Sequence, residues 1–253
     1  MAAITLEKPI YAKLQRARGI GRISTKQFGG RTHLASLFQD GCAKIRLPKT
    51  HSHSLEAVLI NTAGGITGGD QIEWSAHVEA DGHLVLTTQA CERSYRSTGQ
   101  TAEIQTTLEV GVNAHLDWLP QETILFEASK LSRRLHVDLA EGATLTAIEA
   151  VVLGREAMGE DARDAELSDQ WRIYRCGKLI HAEATRLTSA AAERDANATL
   201  AGARAFALCT SPTTAKTLHV SPIASAQKSH LTATPLCRPM ANGSLSAPLR
   251  PRA

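Results

Sequence analysis

The sequence predicts a mainly β protein, a single β-helix-like domain of stacked sheets with few helices. Three observations carry that expectation. Apolar residues recur with period two over many short stretches, which places them on one face of a strand. Three passages of similar pattern follow one another at nearly constant spacing. Helical periodicity is rare, and a single stretch has the composition of a long helix.

In chain order, LEAVLIN (55–61) is the first clear strand. In QIEWSAHVEA (71–80), Ile72, Trp74, Ala76 and Val78 share one face, and mostly polar residues take the other. HLVLTT (83–88) follows, and then AEIQTTLEV (102–110), where Ala102, Ile104, Thr106 and Leu108 alternate in the same way. HLDWL, RLHVDL, TLTAIEAVVLG and WRIYRCG complete the series. The three related passages are VEADGHLVLT, LEVGVNAHLDWL and VDLAEGATLTAI. Each is an alternating strand, a short turn and a second strand. Their aligned leucines, Leu84, Leu116 and Leu145, are 32 and 29 residues apart. Such a period suits stacked β units or a solenoid; ordinary hairpins of a sandwich give the same pattern. Residues 189–207, SAAAERDANATLAGARAFA, are Ala-rich and predict a helix.

At 253 residues the chain can form one large domain or two small ones. With 43% hydrophobic but only 4% aromatic residues, its core is built from Leu, Val, Ile and Ala. The longest apolar runs fall far short of a membrane span. The N-terminal stretch carries early charges and no apolar core, unlike a signal peptide. The five cysteines are widely spaced without a C-x-x-C, which reads as reduced thiols in the cytoplasm, not disulfides or a zinc site. Net charge is +3, but no Asp or Glu follows Asp195, so residues 1–207 are slightly acidic. That balance argues against a nucleic-acid partner.

The stretch NTAGGITGGD (61–70) has the glycine density of a phosphate loop. A phosphate loop, however, leads from a strand into a helix whose amides face the anion. Here a second strand follows, and Asp70 stands where a lysine would be needed. Gly64, Gly65, Gly68 and Gly69 are therefore read as structural, allowing positive φ or close backbone approach, with Asp70 capping the turn.

Four stretches together carry a family resemblance: NTAGGITGGD (61–70), TTQACERSYRS (87–97), LPQETILFEAS (119–129) and LGREAMGE (153–160). In order and spacing they are similar to the UreD (UreH) family of urease accessory proteins, and GGRTHLA (29–35) fits its N-terminal region. The resemblance spans about residues 20–207. It implies a mostly β fold and no enzymatic activity. It further implies a scaffold for assembling the nickel site of urease, with the urease apoprotein and UreF as partners and the GTPase UreG recruited through UreF. No cofactor is tightly bound on this picture. Nickel passes in transit through an internal, water-filled tunnel.

A passing ion calls for oxygen and imidazole ligands, because thiolates would trap it. Candidate path residues are the carboxylates Glu56, Asp70, Glu92, Glu122, Glu156 and Glu160. The competing reading is structural: Arg155 pairs with Glu156 or Glu160, and Arg96 pairs with another carboxylate. His51 and His53 form a lone H-x-H, a weak metal signal better read as a solvated loop. Cys91 is explained by packing. A hydrolase built on Ser94, Ser97 and Asp70 lacks a G-x-S-x-G elbow and α/β alternation. The stronger alternative is a β-rich protein-binding module without a metal-transfer role.

The domain is assigned to residues 1–207, and residues 208–253 form an atypical tail. Six of nine prolines and twelve Ser or Thr lie there, with no acidic residue. The composition predicts disorder. The abrupt change where the resemblance stops also suggests out-of-frame sequence, which the neighbouring reading frame of the gene would test.

Overall fold

In the computed structural model, residues 15–190, 194–197, 199–210 and 221–222 are described. Strands β1 (Arg18–Phe28) and β2 (Arg31–Gly41) form a hairpin, followed by β3 (Ala43–Arg46) and β4 (Leu55–Asn61). Then come β5 (Gln71–Val78), β6 (His83–Thr88), the short β7 (Glu92–Ser94), β8 (Ala102–Val110), β9 (His115–Leu119) and the short β10 (Thr123–Leu125). The remainder are β11 (Lys130–Leu139), β12 (Thr144–Leu153), β13 (Glu166–Arg175), β14 (Lys178–Leu187), β15 (Ala205–Thr210) and β16 (Ser221–Pro222). A short 3-10 turn covers Glu156–Met158.

The strands form two facing sheets, ordered β14-β13-β11-β8-β5-β1-β2 and β16-β15-β12-β9-β6-β4-β3. From β5 to β13 the chain alternates between them. It runs β5, β6 and β7, then β8, β9 and β10, then β11 and β12, so each circuit adds one parallel strand to each sheet. β7 and β10 pair in parallel and, through the pairing of β10 with β12, extend the second sheet. The solenoid reading of the sequence is therefore correct, and antiparallel hairpins are confined to the ends.

The repeat is visible in the register. Leu84 pairs with Leu116, and Leu116 with Leu145, giving a fully buried leucine column between the sheets. Three residues before each leucine stand Asp81, Asn113 and Gly142, all with positive φ (58°, 54° and 68°). Asp, Asn and Gly tolerate this left-handed conformation best. The corner and the column repeat together, so the chain reverses at the same point in each coil.

The helix expected over 189–207 is not present. Of its described residues only Arg194 is helical, turns follow, and Ala205–Ala207 belong to β15. Ala201 and Gly202 both take positive φ, which ends any helix. Phe206 and Leu208 then alternate into the core against β12, so tertiary burial overrides alanine's helix propensity. β15 runs across position 207, where the composition changes. Apart from residues 208–210 and 221–222, the tail lies outside the described residues. Among the described residues no helix is long and apolar enough to cross a membrane.

Candidate functional site

The glycine-rich stretch 61–70 forms the corner that connects β4 of the second sheet to β5 of the first, and Ile66 bridges to Ser94 of β7 on the way. Gly64, Gly65 and Gly69 have positive φ (76°, 141° and 91°). Gly68 does not; there a Cβ would collide with the carbonyl of Gln100 in the neighbouring coil. Asp70 is buried, and both its oxygens accept backbone amides, from Ala17 and from Thr67, each at 2.8 Å. Its carboxylate ties the loop to the start of β1.

Glu92 opens β7 on the inner side of that corner. Asn61 Nδ2 donates to both of its carboxylate oxygens, at 3.1 and 3.3 Å. Burial pushes the Glu92 carboxyl up to about 7, against the hydrogen bonds from Asn61 and the Arg93 amide, and the nearby Asp70 charge adds to the rise. A cavity of about 240 Å³ opens beside it, lined in part by Asn61, Gly65, Trp74, Cys91 and Glu92. That is small for an organic ligand but ample for an ion and its waters. Burial raises the Cys42 thiol as well, with Asp70 and Glu92 contributing, so it stays protonated and is a poor metal trap.

From Glu92 a polar row continues through the interior. Glu92 pairs in register with Thr123 of β10. Thr123 Oγ1 accepts from Arg133 Nη1 at 3.1 Å. Arg133 Nη2 donates to Asp169 Oδ2 and lies 3.1 Å from Glu149 Oε2. Glu149 in turn accepts from the indole N–H groups of Trp118 (2.8 Å) and Trp171 (3.0 Å). The side chains of Arg133, Glu149 and Asp169 are 7%, 3% and 0% exposed. Burial works against the charge on Arg133, but the facing carboxylates of Asp169 and Glu149 outweigh it and hold the guanidinium charged. Burial raises the Glu149 carboxyl, and Arg133 opposes that rise. Among the described residues, Asp169 Oδ1, Arg133 Nε, Ser94 Oγ and Ser129 Oγ are buried without a hydrogen-bond partner. Asp169 also borders a second cavity, of about 510 Å³, formed by β11, β13 and β14.

Sequence reasoning missed Arg133, Glu149 and Asp169. The available signal was phase. Each stands on the apolar face of its strand: Arg133 between Leu131 and Leu135, Glu149 between Ala147 and Val151, and Asp169 between Leu167 and Trp171.

The remaining candidates lie elsewhere. Glu56 is half-buried on β4, in register with the outward-facing Val85. Glu122 is half-buried and engages its neighbour through the backbone, its carbonyl accepting from the Glu92 amide at 2.9 Å. Glu156 is exposed on the 3-10 turn, since the short turn carries it out to solvent. Glu160 accepts from Arg155 Nε and from the Glu127 amide. Arg155 also stacks 4.3 Å over the Phe126 ring. Arg96 is exposed and contributes its backbone, its carbonyl accepting from Thr67 Oγ1 at 2.8 Å. His51 and His53 are exposed, the latter's Nδ1 lying 3.3 Å from the Gly30 carbonyl.

Comparison with known proteins brings one family forward. The family model described as UreD urease accessory protein matches residues 17–244. A urease accessory protein UreD of Chelativorans sp. (strain BNC1) is 62% identical over 196 residues, covering 78% of this chain and 71% of the relative. The UreD protein of Rhizobium leguminosarum bv. viciae is 53% identical over 194 residues, covering 76% and 71%. That of Agrobacterium fabrum is 53% identical over 194 residues, covering 76% and 68%.

Proposed function

We propose, from the premise that this chain belongs to the UreD family of urease accessory proteins, that it serves as a cytoplasmic, non-enzymatic scaffold through which nickel is loaded into the urease apoprotein. Nickel is the cargo, not a resident cofactor. The partners on this reading are the urease apoprotein and UreF, with UreG reached through UreF.

The interior polar row is the observation that carries the reading beyond family membership. A solenoid core needs only apolar residues to stack. This core instead holds Glu92, Thr123, Arg133, Glu149 and Asp169 in sequence, with a cavity beside each end. The ligand atoms along it are oxygens, which hold a divalent ion weakly enough to release it. Arg133 stands in the middle, and its charge repels a cation. A passing ion has to displace it from Asp169 and Glu149, which makes Arg133 the point of control.

Co-expression of the urease subunits with the other accessory proteins in nickel medium, with and without this chain, tests the proposal. Expected is a rise in both urease activity and bound nickel when the chain is present. Absence of either rise refutes the accessory role. Glu92→Gln and Glu149→Gln should lower nickel loading while leaving co-purification with urease unchanged. Full loading by both variants would instead favour the binding-module reading. That reading has its own support in Phe28 and Phe38, apolar side chains exposed on the β1–β2 hairpin.

A further inference from the structure

The outer face of the second sheet carries a different arrangement. His83 of β6 and His115 of β9 are register partners, and Thr144 of β12 extends their row. Two residues further along, Val85, Asp117 and Thr146 form the next outward row. Adjacent strands stand about 4.8 Å apart, so two imidazoles and one carboxylate converge. His83 Nε2 lies 2.7 Å from Asp117 Oδ2, and His115 Nε2 lies 3.0 Å from Asp117 Oδ1. One ligand atom from each of the three residues falls within a 4.8 Å group. The two rings meet edge to face with centroids 4.8 Å apart.

We propose that His83, His115 and Asp117 form a binding site for a divalent first-row transition-metal ion on the outside of the solenoid. Zinc-like ions take imidazole nitrogen and carboxylate oxygen at about 2.0–2.2 Å, which sets neighbouring ligands around one ion about 3.3 Å apart. The observed separations of 2.7 and 3.0 Å run to different Asp117 oxygens, and the group spans up to 4.8 Å, so side-chain rotations would have to gather the three ligands around one ion. Three protein ligands leave at least one position for water or an incoming group. The side chains of His83, His115 and Asp117 are 42%, 25% and 18% exposed, so the ion can exchange with solvent.

The surroundings orient the ligands as a metal site requires. His115 Nδ1 lies 2.7 Å from Thr144 Oγ1. With an ion bound, donation from Nδ1 to that hydroxyl would free the Nε2 lone pair for the ion; without one, Nε2–H donates to Asp117. Thr146 hydrogen-bonds Asp117 from the next strand. Two imidazoles with one carboxylate favour Ni²⁺, Co²⁺, Zn²⁺ or Cu²⁺ over Mg²⁺ and Ca²⁺. The site is separate from the interior row, and it does not depend on the proposed role in nickel loading.

The alternative is a hydrogen-bonded ladder that holds no ion, and calorimetric titration of the full chain with Ni²⁺, Zn²⁺ and Mg²⁺ separates the two. The wild-type protein should bind one more equivalent of Ni²⁺ or Zn²⁺ than His83→Ala or His115→Ala, and should not bind Mg²⁺ there. His77→Ala, which alters the exposed His77–Glu109 pair on the other sheet, should bind as the wild type does. Thr144→Val should weaken the site about 10-fold, as loss of an orienting partner does. His83→Gln keeps a hydrogen-bond donor toward Asp117 and so guards against misfolding. Ni²⁺ should raise the melting temperature of the wild type and not of this variant. Equal stoichiometry and affinity in wild type, His83→Gln and His115→Ala would overturn the site, as would equal Ni²⁺-dependent stabilisation of wild type and His83→Gln.

Discussion

Arg133→Met tests the buried charge cluster directly. Methionine keeps the unbranched stem but removes the guanidinium, which sits between carboxylates that are 3% and 0% exposed. It also removes the hydrogen bond to Thr123. Breaking a buried ion pair by deleting one partner costs about 3–5 kcal/mol, because the remaining charge is left without compensation. In a domain of this size each kcal/mol moves the melting temperature by about 2–4 °C, so the expected fall is about 6–20 °C. The loss should also depend on pH. Burial already raises the Glu149 carboxyl, and Arg133 is what opposes the rise. Without it, the folded-state pKa of Glu149 moves further above its unfolded value. The folded variant then holds a proton that the unfolded chain releases, so its stability declines as pH rises. Urea and thermal unfolding followed by circular dichroism at pH 5 and pH 8 should show the greater deficit at pH 8. Adding Glu149→Gln and Asp169→Asn should restore part of the lost stability, since the amides remove the uncompensated charges and the amide oxygen introduced at position 149 still accepts from an indole N–H. A deficit under about 1 kcal/mol at pH 8, or the same deficit at both pH values, would refute the reasoning.

Two further outcomes follow from the corner beside the cluster. Glu92 has a folded-state pKa of about 7 against an ordinary 4.5. Its contribution to stability is therefore greatest below pH 4.5 and is lost progressively up to pH 7, by as much as about 3 kcal/mol. Glu92→Gln should flatten that part of the profile and be the more stable protein at pH 8; parallel profiles for variant and wild type would exclude an ionising, buried Glu92. Gly68→Ala should destabilise by about 1–3 kcal/mol in urea unfolding, because the added methyl meets the Gln100 backbone of the next coil as well as the Ser97 hydroxyl, and the backbone cannot swing aside. An unchanged midpoint would mean that the two coils do not pack this closely.

Much of the fold could be read from the sequence because its central coils obey two simple periods at once. Period two assigned the inner faces of β5 and β8, and the spacing of Leu84, Leu116 and Leu145 identified the coil. The ends of the solenoid were harder. β2 is exposed along most of its length and lacks a clean alternation. β7 and β10 have three residues each, too short for any periodic signal. β15 begins inside an Ala-rich stretch, and its two anchoring residues, Phe206 and Leu208, mark it as a strand only once β12 is beside it. The outward pair His83 and His115 was legible in principle. Each residue directly precedes a leucine of the repeat, so the alignment of the leucines also aligns the histidines.

The interior row was hidden for a physical reason. Of the acidic residues inside the family-like stretches, Glu156 is exposed and Glu160 is held by Arg155 and the Glu127 amide. Arg133, Glu149 and Asp169 lie on three different strands, distant in sequence, and look costly one at a time. A lone buried charge is costly enough that a strand carrying one on its apolar face reads as an imperfect strand. The cost falls when β11 and β12 of one coil and β13 of the next bring opposite charges to one point. Phase violations therefore have to be read jointly across coils. Three inward charges of mixed sign at matching heights in a solenoid predict a polar cluster, whereas any one of them predicts only a defect. An apolar trio would leave the buried indole N–H groups of Trp118 and Trp171 without an acceptor, so Glu149 also serves to satisfy the core. The residues from Glu92 to Asp169 thus form one connected polar row whose opposite charges are tolerable only jointly.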